Sequence, residues 1–109
     1  MIVGIYVLEF HLPAARSLKD KRQVLRHLKD RFRSRHNVAV SELEEHSELL
    51  QRAGLAIVSV SSSRDVLLRL FDTLRREAES HVPGQVIETA KELLESADGG
   101  PQGWGEGWA

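Results

Sequence analysis

Residues 2–12 read Ile-Val-Gly-Ile-Tyr-Val-Leu-Glu-Phe-His-Leu, a run in which alternate positions form two different sets. Positions 2, 6, 8, 10 and 12 are apolar, whereas the other set begins with Val3, Ile5 and Val7 and ends with Glu9 and His11. Because successive side chains of a strand point to opposite faces, the run predicts a strand with one face in a core. The second face is expected to be half open or covered by a partner.

Two helices are predicted downstream of this strand. Ser17 is a suitable N-cap for the first, with Asp20 three residues later, and the apolar spacing continues to about Arg35. One of Ser61, Ser62 and Ser63 is expected to cap the second helix. The expected buried residues are Leu18, Val24, Leu25, Leu28 and Phe32 in the first helix and Leu67, Leu70, Phe71, Leu74 and Ala78 in the second.

Two more strands are predicted at residues 38–43 and 53–60, and the second is apolar on both faces, as expected of a central strand. Residues 85–95 are ambiguous, since their apolar residues also fit a helical period. The order strand, helix, strand, strand, helix and one uncertain element matches the ferredoxin-like βαββαβ arrangement of the α+β class. A four-stranded antiparallel sheet would then carry two helices on one face, with the first and third strands central.

One domain is expected over residues 1–95, followed by a flexible Gly-rich tail over residues 96–109 that holds Trp104 and Trp108. Of the 109 residues, 41% are hydrophobic and 28% are charged, which is typical of a globular protein. The absence of cysteine excludes disulfides, thiolate metal sites and a Cys nucleophile. No apolar stretch resembles a signal peptide or a membrane span, so we expect a cytoplasmic protein.

The strongest functional signal is a basic segment between Arg16 and His36. It contains nine Lys or Arg and two Asp, a local charge of +7 in a chain whose net charge is −1. Helical spacing places five of these cations on one side of the first helix: Lys19, Arg22, Arg26, Lys29 and Arg33. Such a stripe predicts a polyanionic partner, because phosphates would relieve the repulsion between neighbouring cations.

Two alternatives to a polyanion remain open for the stripe. The acidic residues of this chain or of a second copy, at positions 42, 44, 45 and 48, could neutralise it, or the stripe could simply be solvated. Lys21 differs from the other cations because it falls within the apolar side of the helix. Its ammonium could reach the sheet edge past apolar neighbours, or it could hold an anion near the helix N-terminus.

Other candidate sites are weaker. Glu9 and His11 share a strand face, and with His46 they could form a metal site or an acid–base pair, although no metal-ligand spacing supports this. The serines at 61–63 are better explained as caps than as a phosphate loop. The predicted open face lacks the aromatic residues of an RRM, and the chain has no GxxG loop of a KH domain. No catalytic residue, metal or cofactor is therefore predicted.

Four segments resemble the YlxP-like family of bacterial proteins, a domain of unknown function numbered 503. They are Met1–Gly4, Arg16-Ser17-Leu18-Lys19-Asp20-Lys21-Arg22, Asn37–Glu42 and Gln51-Arg52-Ala53. The resemblance covers residues 1–95 and implies a ferredoxin-like fold, with a strand at 85–95. It also implies a ribosome-linked role, since genes of the family often lie beside those for translation initiation and ribosome maturation. Leu49 stands where the family commonly has Trp.

Together these observations predict a non-enzymatic binding domain whose basic first helix contacts structured or ribosomal RNA. Val3, Ile5 and Val7 on the open face predict self-association into a homo-oligomer. The alternative is a homo-oligomeric interaction or small-ligand domain, in which the basic helix meets the acidic segment of another subunit. No small-molecule substrate is identified.

Overall fold

A computed structural model describes residues 1–46 and 49–95 of the chain. The predicted tail, with both tryptophans, lies outside the described residues. The elements in chain order are β1 (Ile2–His11), α1 (Leu18–Arg35), β2 (Ala39–Glu42), a single 3₁₀ turn (Glu44–His46), β3 (Arg52–Ser61), α2 (Arg64–His81) and β4 (Gln85–Glu95). Neither helix in these two ranges is long and apolar enough to cross a membrane.

The four strands form one antiparallel sheet in the order β2-β3-β1-β4. β1 and β3 are therefore central, as predicted, and pair along their whole length from Ile2 opposite Ser61 to His11 opposite Arg52. Both helices pack on one face of the sheet, which confirms the α+β, ferredoxin-like βαββαβ arrangement. The other face is open. One face of the sheet therefore carries the core, and the other face is accessible to a partner.

The core lies between the sheet and the helices and follows the alternation of β1. Tyr6, Leu8 and Phe10 point into it and are at most 2% exposed. The predicted apolar sides of both helices complete it, with the following residues buried: Leu25, Leu28 and Phe32 from α1, and Leu67, Phe71, Leu74 and Ala78 from α2. The prediction for Leu18 was wrong. As the first residue of α1, it has no preceding helical turn to cover it and is 37% exposed.

Gly4 allows α2 to approach β1 closely. A Cβ atom at this position would overlap the ring of Phe71. With only hydrogen there, the Phe71 ring stacks on Tyr6 at a centroid distance of 4.6 Å and an interplanar angle of 5°. The glycine thus makes room for the main aromatic contact between sheet and helix.

A β-bulge in β4 explains why its sequence also fits a helical period. Leu8 pairs with Glu88 and Val7 with Ala90, so Thr89 is the extra residue. The bulge reverses which positions face the core, and it brings Ile87, Ala90 and Leu94, spaced by three and four, onto the open face. The apolar spacing that suggested a helix is the spacing of a bulged strand.

The bulge also brings Glu88 to the core side of the sheet, where it accepts a hydrogen bond of 2.5 Å from the hydroxyl of Tyr6. Burial of the phenol is the largest of the causes that raise the pKa of Tyr6 well above its usual value, and the hydrogen bond and the charge of Glu88 act in the same direction.

Serine side chains begin both helices. The hydroxyl of Ser17 accepts a hydrogen bond from the amide of Asp20, and that of Ser63 accepts one from the amide of Val66. Each satisfies one of the amides that have no partner within the first helical turn. The structure thus confirms Ser17 as a cap and selects Ser63 among the three candidate serines.

Polar contacts join the two helices. Glu77 of α2 lies 3.0 Å from Nε2 of His36 and 3.5 Å from the guanidinium of Arg31. The rings of His27 and His81 meet edge to face with centroids 5.7 Å apart. Arg31 is therefore directed towards α2 and away from the basic stripe of α1.

A buried ammonium group fixes the segment that leads into β3. Lys21 is 5% exposed, and its Nζ donates hydrogen bonds to the carbonyl oxygens of His46, Leu49 and Arg52 at 2.6, 2.7 and 3.1 Å. Burial lowers the pKa of this ammonium. Of the two interpretations of Lys21, these contacts favour the one in which the side chain passes its apolar neighbours to the sheet edge.

We expect the ionisation of Tyr6 to weaken the fold at alkaline pH. Because the folded-state pKa is raised, the stabilisation is complete below the unfolded value of about 10 and is lost as pH rises towards the folded value. Between about pH 9 and pH 11, wild type should lose about 1.4 kcal/mol of unfolding free energy relative to Tyr6→Phe. Urea denaturation of both proteins at the two pH values measures this difference. Equal pH dependence in the two proteins would contradict it.

We expect Lys21→Met to lower the free energy of unfolding by about 2–4 kcal/mol, because it removes three hydrogen bonds from a buried ammonium to backbone carbonyl oxygens. Lys19→Met is the matched control. Lys19 is exposed, and its side chain forms no hydrogen bond or ion pair within the described residues, so its replacement should change stability by less than about 0.5 kcal/mol. Urea denaturation compares the two variants, and equal effects would rule out the anchoring role of Lys21.

Candidate functional site

The basic stripe lies along α1 on the side next to β2. Lys19, Arg22, Arg26 and Arg33 are exposed, and Lys29 is half buried. At 1.5 Å per residue, the stripe extends for about 21 Å along the helix. The predicted helix thus presents its five cations as one elongated surface, but these cations differ in what they contact.

The last two cations of the stripe, Lys29 and Arg33, bind β2. The ammonium of Lys29 lies 2.9 Å from a carboxylate oxygen of Glu42. The guanidinium of Arg33 donates a hydrogen bond of 2.8 Å to the carbonyl oxygen of Val40. Since β2 is an edge strand, Arg33 occupies a backbone acceptor that a further strand would otherwise use. These two residues hold α1 against the sheet edge.

The three remaining cations of the stripe have no such contacts. Within residues 1–46 and 49–95, the side chains of Lys19, Arg22 and Arg26 form no hydrogen bond and no ion pair. They lie three and four residues apart and so are neighbours of like charge on the helix surface. We call these three residues the basic flank. It is the part of the stripe that is free to meet an external ligand.

Neutralisation by the acidic segment after β2 is partial. Glu42 neutralises Lys29, as one of the alternatives for the stripe allowed. Glu44 and Glu45 lie in the 3₁₀ turn and are exposed, with no ion pair among the described residues. Glu48 lies outside the described residues. No described carboxylate therefore compensates the basic flank.

The open face of the sheet is apolar over most of its length. Val3, Ile5 and Val7 lie along its centre, as the alternation of β1 predicts. Their cross-strand neighbours on β3 and β4 include large exposed side chains: Val58 at 39%, Val60 at 49% and Leu94 at 41% exposure. Ile87, opposite Glu9 on the same face, is 42% exposed. These neighbours present most of the apolar surface. The three β1 residues are less exposed, because the strands on both sides of β1 cover them in part.

The other end of the open face is polar. In the row formed by β3, β1 and β4, Arg52, His11 and Gln85 lie side by side. Glu9 lies one position further in on the same face, and its carboxylate is 2.5 Å from Nε2 of His46. We call these five residues the polar corner.

The grouping of Glu9 with His46, one of those considered from the sequence, is thus present as a contact. The described residues nevertheless contain no group of three or more His, Cys, Asp or Glu side chains arranged to hold a metal ion. His11 has no hydrogen bond to the Glu9–His46 pair. The pair is partly buried and lines a small cavity at this end of the sheet.

Gly54 explains how His46 reaches the open face. Gly54 pairs with Glu9 across the two central strands. A Cβ atom there would overlap the side chain of Leu43, which closes over this position, while the amide of Leu43 donates to the carbonyl oxygen of Gly54. The chain after β2 therefore folds onto the sheet at the one row where β3 has no side chain. Sequence reasoning missed this role of Gly54, although an isolated glycine in a strand is a signal of close approach.

Comparison with protein families assigns the chain to a family whose function is unknown. A family described as a protein of unknown function, DUF503, matches residues 3–91, so the chain belongs to this family. The match agrees with the resemblance that residues 16–22 and the other three segments carry. No curated protein matches the chain.

Proposed function

We propose that this DUF503 domain acts by binding rather than by catalysis, and that its basic flank binds structured RNA, with ribosomal RNA as the target. The observation that supports this most is the flank itself. Lys19, Arg22 and Arg26 are exposed cations on neighbouring helical turns, and none of them forms an ion pair with a carboxylate of the described residues. Each phosphate that such a cation neutralises releases a condensed counterion, which favours binding.

The contacts of α1 divide its cations by role. The basic flank would make the primary phosphate contacts. Lys29 and Arg33 would lie at the end of the same surface, where Lys29 must share its charge with Glu42. Because the flank is part of a regular helix, it would recognise the spacing of phosphates and the shape of an RNA rather than unstacked bases.

A ribosomal target would place the protein in the bacterial cytoplasm, which we propose as its location. The family assignment names no activity, so the charge distribution of α1 supports the RNA proposal on its own. Lys21 is not part of the proposed contact surface, because its ammonium is directed to backbone carbonyl oxygens inside the fold.

The salt dependence of binding distinguishes three phosphate contacts from five. With a slope of about −0.9 per neutralised phosphate, raising salt from about 50 mM to about 200 mM should weaken binding about 40-fold for three contacts and about 500-fold for five. Fluorescence anisotropy with a labelled ribosomal RNA fragment measures this, and we expect the smaller value. Co-sedimentation with ribosomal particles at graded salt provides the same test on the native target.

Replacing Arg22 or Arg26 by Gln should reduce the salt slope by about one unit in each case. Arg69→Gln on α2 is the matched control, since it removes the same charge from an exposed helix position outside the flank. Binding that ignores salt, or that persists unchanged when all three flank residues are replaced by Gln, would refute the proposal.

We also propose that the domain self-associates through the open sheet face, around Val3, Ile5 and Val7. The exposed neighbours Val58 and Val60 form part of the same surface. The apolar part of this face ends before the polar corner, and burying its exposed side chains against a second copy would favour association.

Pairing of two open faces is compatible with RNA binding, because the helices lie on the opposite face of each sheet. A dimer would therefore carry its two basic flanks on its outer surfaces. In the alternative, the basic helix of one copy meets the acidic segment of another. That contact would be electrostatic, whereas pairing of the open faces depends on apolar burial.

We expect Val58→Glu to convert a dimer to a monomer, because the new carboxylate would be buried against apolar side chains. Val66→Glu on α2 is the matched control, since Val66 is 47% exposed on the other side of the molecule. Sedimentation equilibrium at low and high salt measures the mass. A wild-type monomer at all concentrations would contradict self-association, and dissociation of an oligomer by salt would favour the electrostatic alternative.

A further inference from the structure

The polar corner encloses a small cavity at the end of the open face, on the opposite side of the sheet from the basic flank. Its volume is about 150 Å³, and its lining includes Glu9, His11, His46, Arg52, Gln85 and Ile87. This space is large enough for a small organic molecule.

The backbone around this cavity is fixed from within the fold. The buried ammonium of Lys21 binds the carbonyl oxygens of both His46 and Arg52, which line the cavity. Gly54 permits the chain around Leu43 to lie on the sheet, so that His46 can reach Glu9. The backbones of His46 and Arg52, two residues that line the cavity, are therefore held at a defined separation.

Hydrogen-bond donors remain available on one side of the cavity. The guanidinium of Arg52, the ring of His11 and the amide of Gln85 have no side-chain hydrogen bond within residues 1–46 and 49–95. They lie side by side across three strands. A guanidinium flanked by further N–H donors suits a carboxylate, which can accept two parallel hydrogen bonds from arginine.

An acceptor lies on the other side. Oε1 of Glu9 is bound by Nε2 of His46, and Oε2 forms no hydrogen bond with a described residue. Nδ1 of His46 is buried without a hydrogen-bond partner in the same ranges. A ring protonated on Nε2 fits this arrangement, because it donates to Glu9 and leaves no buried N–H unpaired. His46 thereby orients Glu9 and leaves its second oxygen available.

We propose that the polar corner binds a small carboxylic acid that also carries a hydroxyl or ammonium group. Arg52, with His11 and Gln85, would hold the carboxylate. The free oxygen of Glu9 would accept the hydrogen bond of the hydroxyl or ammonium group, and Ile87 would contact the carbon chain. The polar corner is thus a second binding site that is independent of RNA binding.

Titrations followed by ¹H–¹⁵N NMR test this site with four probes: glycolate, L-lactate, glycine and L-serine. At least one of them should bind with a Kd on the order of 1 mM or below and shift the signals of His11, Arg52 and Gln85. Acetate, which lacks the second polar group, should bind at least about tenfold more weakly. Saturation by none of the four probes, or equal affinity for acetate, would overturn the proposal.

Arg52→Gln should weaken the best probe about 10- to 100-fold, since it removes a charge-assisted bidentate contact. Arg69→Gln serves as the control and should leave probe affinity unchanged. The amide spectrum of Arg52→Gln should otherwise match that of wild type, and its affinity for RNA should be unchanged because Arg52 lies on the open face. Undiminished probe binding by Arg52→Gln would also overturn the proposal.

Discussion

The strict alternation of β1 is the constraint on which the rest of this structure depends. A central strand with neighbours on both sides must commit each side chain to one face or the other. Tyr6, Leu8 and Phe10 take the core face, and the close approach of α2 at Gly4 completes it. The same alternation places Val3, Ile5 and Val7, followed by Glu9 and His11, on the open face. The core and the candidate binding surfaces are therefore two consequences of one strand.

Two residues keep the segment before β3 in place: Gly54 within β3 and Lys21 within α1. Gly54 leaves space over the sheet for Leu43, and the buried ammonium of Lys21 donates hydrogen bonds to three backbone carbonyl oxygens between residues 46 and 52. A lysine is costly to bury unless its ammonium is hydrogen bonded. Here three hydrogen bonds offset that cost, and they also fix the backbone of His46 and Arg52 at the polar corner.

The basic helix has a mixed role. A count of charge along residues 16–36 suggests one continuous cationic surface, but the fold uses part of it internally. Arg31 binds Glu77 of α2, Lys29 binds Glu42, and Arg33 covers a backbone acceptor of the edge strand. The basic flank of Lys19, Arg22 and Arg26 remains. The local charge of residues 16–36 therefore overstates the surface that a polyanion can use. Ion pairs depend on the distances between α1 and residues of other elements, and the spacing of cations along one helix does not reveal those distances.

Local patterns along the chain predict the order of the first five helices and strands, the central position of β1 and β3, the Ser17 cap and nearly all of the core, because these depend on periodicity and capping chemistry. They misplaced Leu18, they did not distinguish among the three serines before α2, and they left β4 ambiguous, since the bulge at Thr89 gives a strand the apolar spacing of a helix. The packing of the elements against one another sets which cations are free, that Lys21 binds carbonyl oxygens, and that His46 meets Glu9. These contacts join residues 7 to 46 positions apart in different elements, so their geometry is set by chain folding rather than by any pattern along the chain.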